Sequence, residues 1–118
     1  MVNIMLVDDS VSFRNAAAQF VTEICGARVV GQANSGEEAV EMAIRLRPQI
    51  VLMDLDMGGI NGVEAGRRIK AIDEKIKVII LTLNSGKEYR DMASSAALDG
   101  FVCKSDFTAV ICAIVEGL

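Results

Sequence analysis

The sequence predicts an α/β domain with a doubly wound, five-stranded parallel sheet. Five short apolar runs rich in β-branched residues recur along 118 residues, and a longer stretch with helical spacing follows each one. A chain of this length accommodates one domain, spanning residues 1–118, and its 52% of hydrophobic side chains is ample for a packed interior. With aromatics at 4% and Trp absent, that interior is aliphatic.

The first run is Val2 to Val7, the second Arg28 to Gly31, the third Ile50 to Met53, the fourth Val78 to Thr82 and the fifth Phe101 to Cys103. Three of the five are nearly continuous in apolar character, as strands covered on both faces require, and the second reads as an edge. Between the runs, Val11, Ala17, Phe20, Val21 and Ile24 share one helical face. So do Ala39, Val40, Ala43 and Ile44, and again Ile60, Val63, Ile69 and Ile72. Pro48 ends the second helix just before the third strand. The fourth helical stretch, 87–97, is small and polar and packs least firmly. The last, 107–116, gathers Val110, Ile111, Ile114 and Val115 behind Ser105 or Asp106 as N-cap.

Composition removes several classes of function. The chain has no His, which excludes Ser-His and Cys-His nucleophiles, His-ligated zinc and a histidine base. Net charge is −4, with seven Arg and five Lys scattered rather than striped, so direct nucleic-acid binding by this domain is not expected. Apolar runs are far shorter than the roughly 20 residues a membrane crossing needs, and the N-terminus lacks a signal pattern. Cys25, Cys103 and Cys112, odd in number and far apart, read as free, buried thiols in a reducing cytoplasm.

The chemistry collects at the carboxyl ends of the strands, where sheets of this kind carry their sites. Asp8 and Asp9 follow the first run, Asp54 the third, Thr82 ends the fourth and Lys104 follows the fifth. Three converging carboxylates repel one another unless a cation offsets them, and oxygen ligands from loops suit Mg²⁺. A carboxylate beside that ion, with an ammonium and a hydroxyl opposite, can accept a phosphoryl group. Taken singly, Asp8-Asp9-Ser10 is an ordinary capped turn, Asp54 a helix cap, Thr82 a strand residue, Lys104 a surface lysine and Phe101 core. Their joint placement favours the site.

Four stretches, Leu6-Val7-Asp8-Asp9-Ser10, Val51 through Gly62, Ile80-Leu81-Thr82 and Asp99 through Lys104, resemble the receiver domain of two-component response regulators. The resemblance implies that Asp54 accepts a phosphoryl group from a sensor histidine kinase and later loses it to water. It implies Mg²⁺ held by Asp9, Asp54 and the backbone carbonyl of Asp56, with Asp8 acting through a bound water. It also implies that Thr82 and Lys104 grip the phosphoryl oxygens and that Phe101 turns inward as Thr82 moves. The readout face would be the fourth helix, fifth strand and fifth helix, serving an output domain, a partner protein or a homodimer.

Departures from the family pattern are Gly58 for a usual Pro, Ser105 for the Pro after the lysine, with a trans bond expected, and Leu83 for a smaller residue. Leu83 is expected to narrow access, and Asp56 and Asn84 to tune the rate of phosphoryl loss. Val29 to Ala33, Gly36 to Ala39 and the last helix resemble receivers that precede a C-terminal helix-turn-helix domain; a stand-alone receiver is the alternative. Asp54-Leu55-Asp56 also resembles the paired aspartates of haloacid-dehalogenase-type phosphatases, but there the pair ends the first strand of a larger domain.

Overall fold

The structure is a computed structural model, and the residues it describes are 1–83, 91, 94 and 97–117. Strands β1 (Asn3–Val7), β2 (Arg28–Ala33), β3 (Ile50–Asp54), β4 (Lys77–Thr82) and β5 (Gly100–Cys103) form one sheet in the order β2-β1-β3-β4-β5. Every pairing is parallel. The run read as an edge is one. Helices α1 (Val11–Glu23), α2 (Gly36–Leu46), α3 (Gly62–Ile72) and the C-terminal helix α4 (Phe107–Glu116) cover both faces. Of the fourth helical stretch expected from sequence, only Asp91, Ser94 and Ala97 are among the described residues, the first two helical, and Asn84 lies outside them.

Successive strand side chains alternate between the two faces, and that parity sorts the core. Met5, Val7, Val51, Met53, Val78 and Ile80 pack with Ala39, Ala43, Val63, Ala65 and Ile69 from α2 and α3. Ile4, Leu6, Ile50, Leu52, Ile79, Leu81 and Val102 pack with Ala17, Val21, Phe107, Ile111 and Val115 from α1 and α4. Asp54, the last residue of β3, and Asp8 and Lys104, one residue past β1 and β5, continue the second parity, which brings them to one side of the sheet's carboxyl edge.

Three helices begin on side-chain caps at that edge. Ser10 Oγ accepts from Phe13 N at 3.3 Å, Ser35 Oγ from Glu38 N at 3.1 Å and Asn61 Oδ1 from Glu64 N at 2.9 Å. α2 stops at Arg47, whose φ of 45° is left-handed, immediately before Pro48. α4 follows a 3₁₀ turn, Lys104–Asp106, with Asp106 in the N-cap place and no side-chain bond there. The Lys104-Ser105 peptide is trans, as expected.

Two sequence expectations need correction. Val11, Ile24 and Ile44 share helical faces whose spacing implies burial, yet they are exposed, because Val11 and Ile24 sit at the two ends of α1 and Ile44 in the last turn of α2. Nor are the three cysteines buried free thiols. Cys25 and Cys112 are disulfide-bonded across 87 residues of sequence, and only Cys103 is free. The cause is topological: α1 and α4 cover the same sheet face, so the turn after α1 meets the middle of α4.

Candidate functional site

The site forms where β1, β3, β4 and β5 end. Asp8 and Asp54 are 2% and 6% exposed, whereas Asp9 faces solvent. Asp8 has two functions. One carboxylate oxygen accepts from Ser10 N at 2.8 Å, shaping the turn into α1, and the other accepts from Lys104 Nζ at 2.6 Å. The same ammonium lies 3.4 Å from Asp54 Oδ1, and its side chain is only 12% exposed. The surface-lysine alternative is excluded by that burial. Asp54 is no helix cap either, since Asn61 caps α3.

Carboxylate oxygens of Asp8, Asp9 and Asp54 lie within 4.8 Å of one another. An octahedral Mg²⁺ with ligands at about 2.1 Å spans about 4.2 Å between opposite oxygens, so this all-oxygen set fits such an ion after a small closure. Asp56 is exposed, and its backbone hydrogen-bonds the Asp54 carboxylate. Thr82, fully buried, ends β4 and pairs in register with Cys103 just before Lys104. Phe101 is half-buried against the α2/α3 side of the core. Leu83, beside Thr82, is 80% exposed.

Burial raises the Asp54 pKa from 3.8 to about 6, and repulsion from Asp8 adds to it, against the attraction of Lys104. Burial alone would lower the Lys104 pKa, but hydrogen bonds and charge from Asp8 and Asp54 outweigh it and raise the value. The lysine is therefore a fixed cation, while Asp54 is a carboxylate that ionises near neutrality. Among the described residues no buried side-chain nitrogen or oxygen lacks a hydrogen-bond partner.

Three supporting groups escaped the sequence reading. Arg14 donates to the Asp8 carbonyl at 2.7 Å and to Gln32 Oε1 at 3.1 Å, pinning the acidic turn to β2. Lys104 Nζ stands 4.3 Å above the Phe13 ring centroid, a cation–π contact. Glu37 accepts from Ile60 N at 3.4 Å and lies where a side chain on Gly59, at φ +82°, would go, holding the loop after Asp54. The only signals for the first two were their places in the first turn after the acidic pair.

Gly62 begins α3, and its N–H donates to Leu55 O at 2.9 Å. A Cβ at this position would overlap the backbone carbonyl of Asp54 itself. Gly62→Ala is therefore expected to cost about 1–3 kcal/mol, because the obstacle is backbone rather than a flexible side chain. Urea unfolding checks the value, and an unchanged midpoint would contradict the close approach.

Comparison with known proteins agrees with this geometry. The model of the response regulator receiver domain matches residues 4–116. Response regulator GacA of Pseudomonas viridiflava is 36% identical over 104 residues, 88% of this chain and 49% of that protein. Response regulator UvrY of Escherichia coli strain K12 is 35% identical over 88% of this chain and 48% of its own. The chain thus spans about half the length of these curated relatives. A LuxR-family two-component response regulator from Aurantimonas sp. SI85-9A1 superposes with a TM-score of 0.89 at 31% identity, over 99% of this chain and 86% of that one. With fold, site and sequence in agreement over nearly its whole length, the chain belongs to the response regulator receiver domain family.

Proposed function

We propose that Asp54 accepts a phosphoryl group from a histidine kinase and that Asp8, Asp9, Asp54 and the Asp56 carbonyl hold Mg²⁺ for the transfer. The observation that carries this reading is the ionisable Asp54 carboxylate, which has two acids beside it and the Lys104 ammonium 3.4 Å away. When bound, the ion neutralises charge on the transferring group. With its pKa near 6, Asp54 is ionised at neutral pH, and its oxygen can attack phosphorus as the donor's N–P bond breaks. Lys104 then leaves Asp8 for a phosphoryl oxygen, and the Thr82 hydroxyl approaches another.

Phosphorylation adds charge and strong acceptors at one point, which draws Thr82 and Lys104 inward. Phe101, half-buried next to that edge, follows Thr82 and carries the change to the face made by the fourth helical stretch, β5 and α4. Water restores Asp54, so the protein modifies itself rather than turning over a metabolite. Asp56 and Leu83, exposed near the site, set access for donor and water, and Asn84 is assigned the same role.

The likeness to GacA, UvrY and a LuxR-family regulator supports a C-terminal DNA-binding output following this receiver. The likeness to response regulators supports a cytoplasmic setting, and no helix among the described residues is long and apolar enough to cross a membrane. Borohydride trapping tests the acceptor: the acyl phosphate at Asp54 should be reduced to homoserine in the peptide holding that residue. Homoserine found in place of any other aspartate would reject the assignment.

A further inference from the structure

Two cysteines that the phosphoryl chemistry leaves unused join the helices on one side of the site. Cys25 sits in the turn that ends α1, its N–H sharing the Phe20 carbonyl with that of Ile24, and Cys112 lies midway along α4. Their Cα atoms are 5.0 Å apart, and both residues are half-buried, within reach of a small reagent from solvent. From Phe20, whose carbonyl accepts from the Cys25 N–H, a row of side chains leads to the site. Phe20 meets Phe107 edge to face with centroids 6.0 Å apart, and Phe107 meets Phe13 in the same way at 5.7 Å. Lys104 rests on the Phe13 ring while bonded to Asp8 at 2.6 Å. Each link belongs either to α1 or to the segment that runs from Lys104 into α4.

We propose that Cys25 and Cys112 form a thiol–disulfide modification site for small disulfides of the glutathione class, and that the bridge holds Lys104 on Asp8 and slows phosphoryl uptake. One cysteine thiolate attacks a donor sulfur and releases one small thiol, leaving a mixed disulfide. The second cysteine thiolate displaces the other small thiol and closes the bridge. Two electrons pass from the cysteine pair to the donor disulfide, and the two cysteine protons leave on the released thiols. Reduced donor thiol runs the exchange backwards.

The physical link is mechanical. The bridge clasps α1 to α4 at one end of the aromatic row, and Lys104 caps the other end. Lys104 opens the turn into α4 and rests on Phe13, so its exchange of Asp8 for a phosphoryl oxygen pulls on the start of α4, and a closed bridge resists that movement. This inference rests on Asp54 being the phosphoacceptor.

The whole chain is equilibrated with oxidised and reduced glutathione at graded ratios, alkylated and weighed, and its Mg²⁺-dependent phosphoryl uptake from acetyl phosphate is timed. Bridged and reduced forms should interconvert with the ratio, with Cys103 alone alkylated in the bridged form. Uptake should be about threefold or more slower when bridged, and Cys112→Ser should take up phosphoryl at the same rate in both buffers. No bridge at any ratio, or one that excess reduced glutathione cannot open, overturns the modification site. Equal rates in the two forms overturn the link to Lys104. Absence of uptake from both forms rejects the phosphoacceptor reading and that link with it, while the mass data still decide the bridge.

Discussion

Asp54→Asn is expected to be more stable than the parent protein at neutral pH and unable to gain a phosphoryl group. Burial, and then Asp8, lift the Asp54 pKa from 3.8 to about 6. The folded protein therefore binds this proton more tightly than the unfolded chain does. Stability attached to the group is fully present below the unfolded value of 3.8 and is lost as pH rises to about 6, with no further change above. The gap amounts to about 3 kcal/mol at about 1.4 kcal/mol per pH unit. The amide carries no charge, so the variant should lack this decline and gain up to about 3 kcal/mol near pH 7.5. Urea unfolding of both proteins between about pH 4 and pH 8 measures it, and parallel profiles would contradict the raised pKa. Mg²⁺ should narrow the difference by stabilising the parent more.

Lys104→Met is expected to act in the opposite direction, and strongly. The side chain keeps its apolar stem but loses the cation that lies 2.6 Å from Asp8 and 3.4 Å from Asp54. Removing one partner from a buried ionic cluster typically costs about 3–5 kcal/mol, because the remaining charge is left without compensation. Asp54 relieves part of this by taking up a proton, which places the loss near the lower figure at pH 7.5 and reduces it further in acid. Combining Lys104→Met with Asp54→Asn should cost less than the sum of the two changes, since the pair shares one interaction. Strict additivity in a double-mutant cycle would show that Lys104 and Asp54 are not coupled. Phosphoryl uptake should also fall in Lys104→Met, since the phosphoryl oxygens lose their ammonium partner.

Much of the fold was legible because strand periodicity is short-ranged. Parity along Ile4-Leu6-Asp8 and Ile50-Leu52-Asp54 puts each acid on the same face as the apolar residues two and four places before it, and Lys104 follows Val102 in the same way. The cluster of Asp8, Asp54 and Lys104 is thus a consequence of alternation together with parallel register. Less legible were groups whose partners come from another layer. The Cys25–Cys112 bond and the seat of Lys104 on Phe13 both depend on how α1 and α4 lie against each other, which no periodicity in either helix specifies. Helical spacing also overstates burial at helix ends, as Val11 and Ile24 illustrate, because a face pattern cannot say where the sheet beneath it stops. The capping residues Ser35 and Asn61 occupy positions whose chemistry is visible in sequence, and each accepts from the N–H three residues on.

The central claim is that three acids and a lysine at this edge form a metal-dependent phosphoacceptor, and intact mass tests it most directly. The protein and Asp54→Asn are each incubated with acetyl phosphate, with Mg²⁺ and with a chelator in its place. The account predicts a gain of one phosphoryl group by the parent protein in Mg²⁺ alone, and no gain by the variant in either condition. A gain that persists in chelator, or one that survives Asp54→Asn, would contradict it.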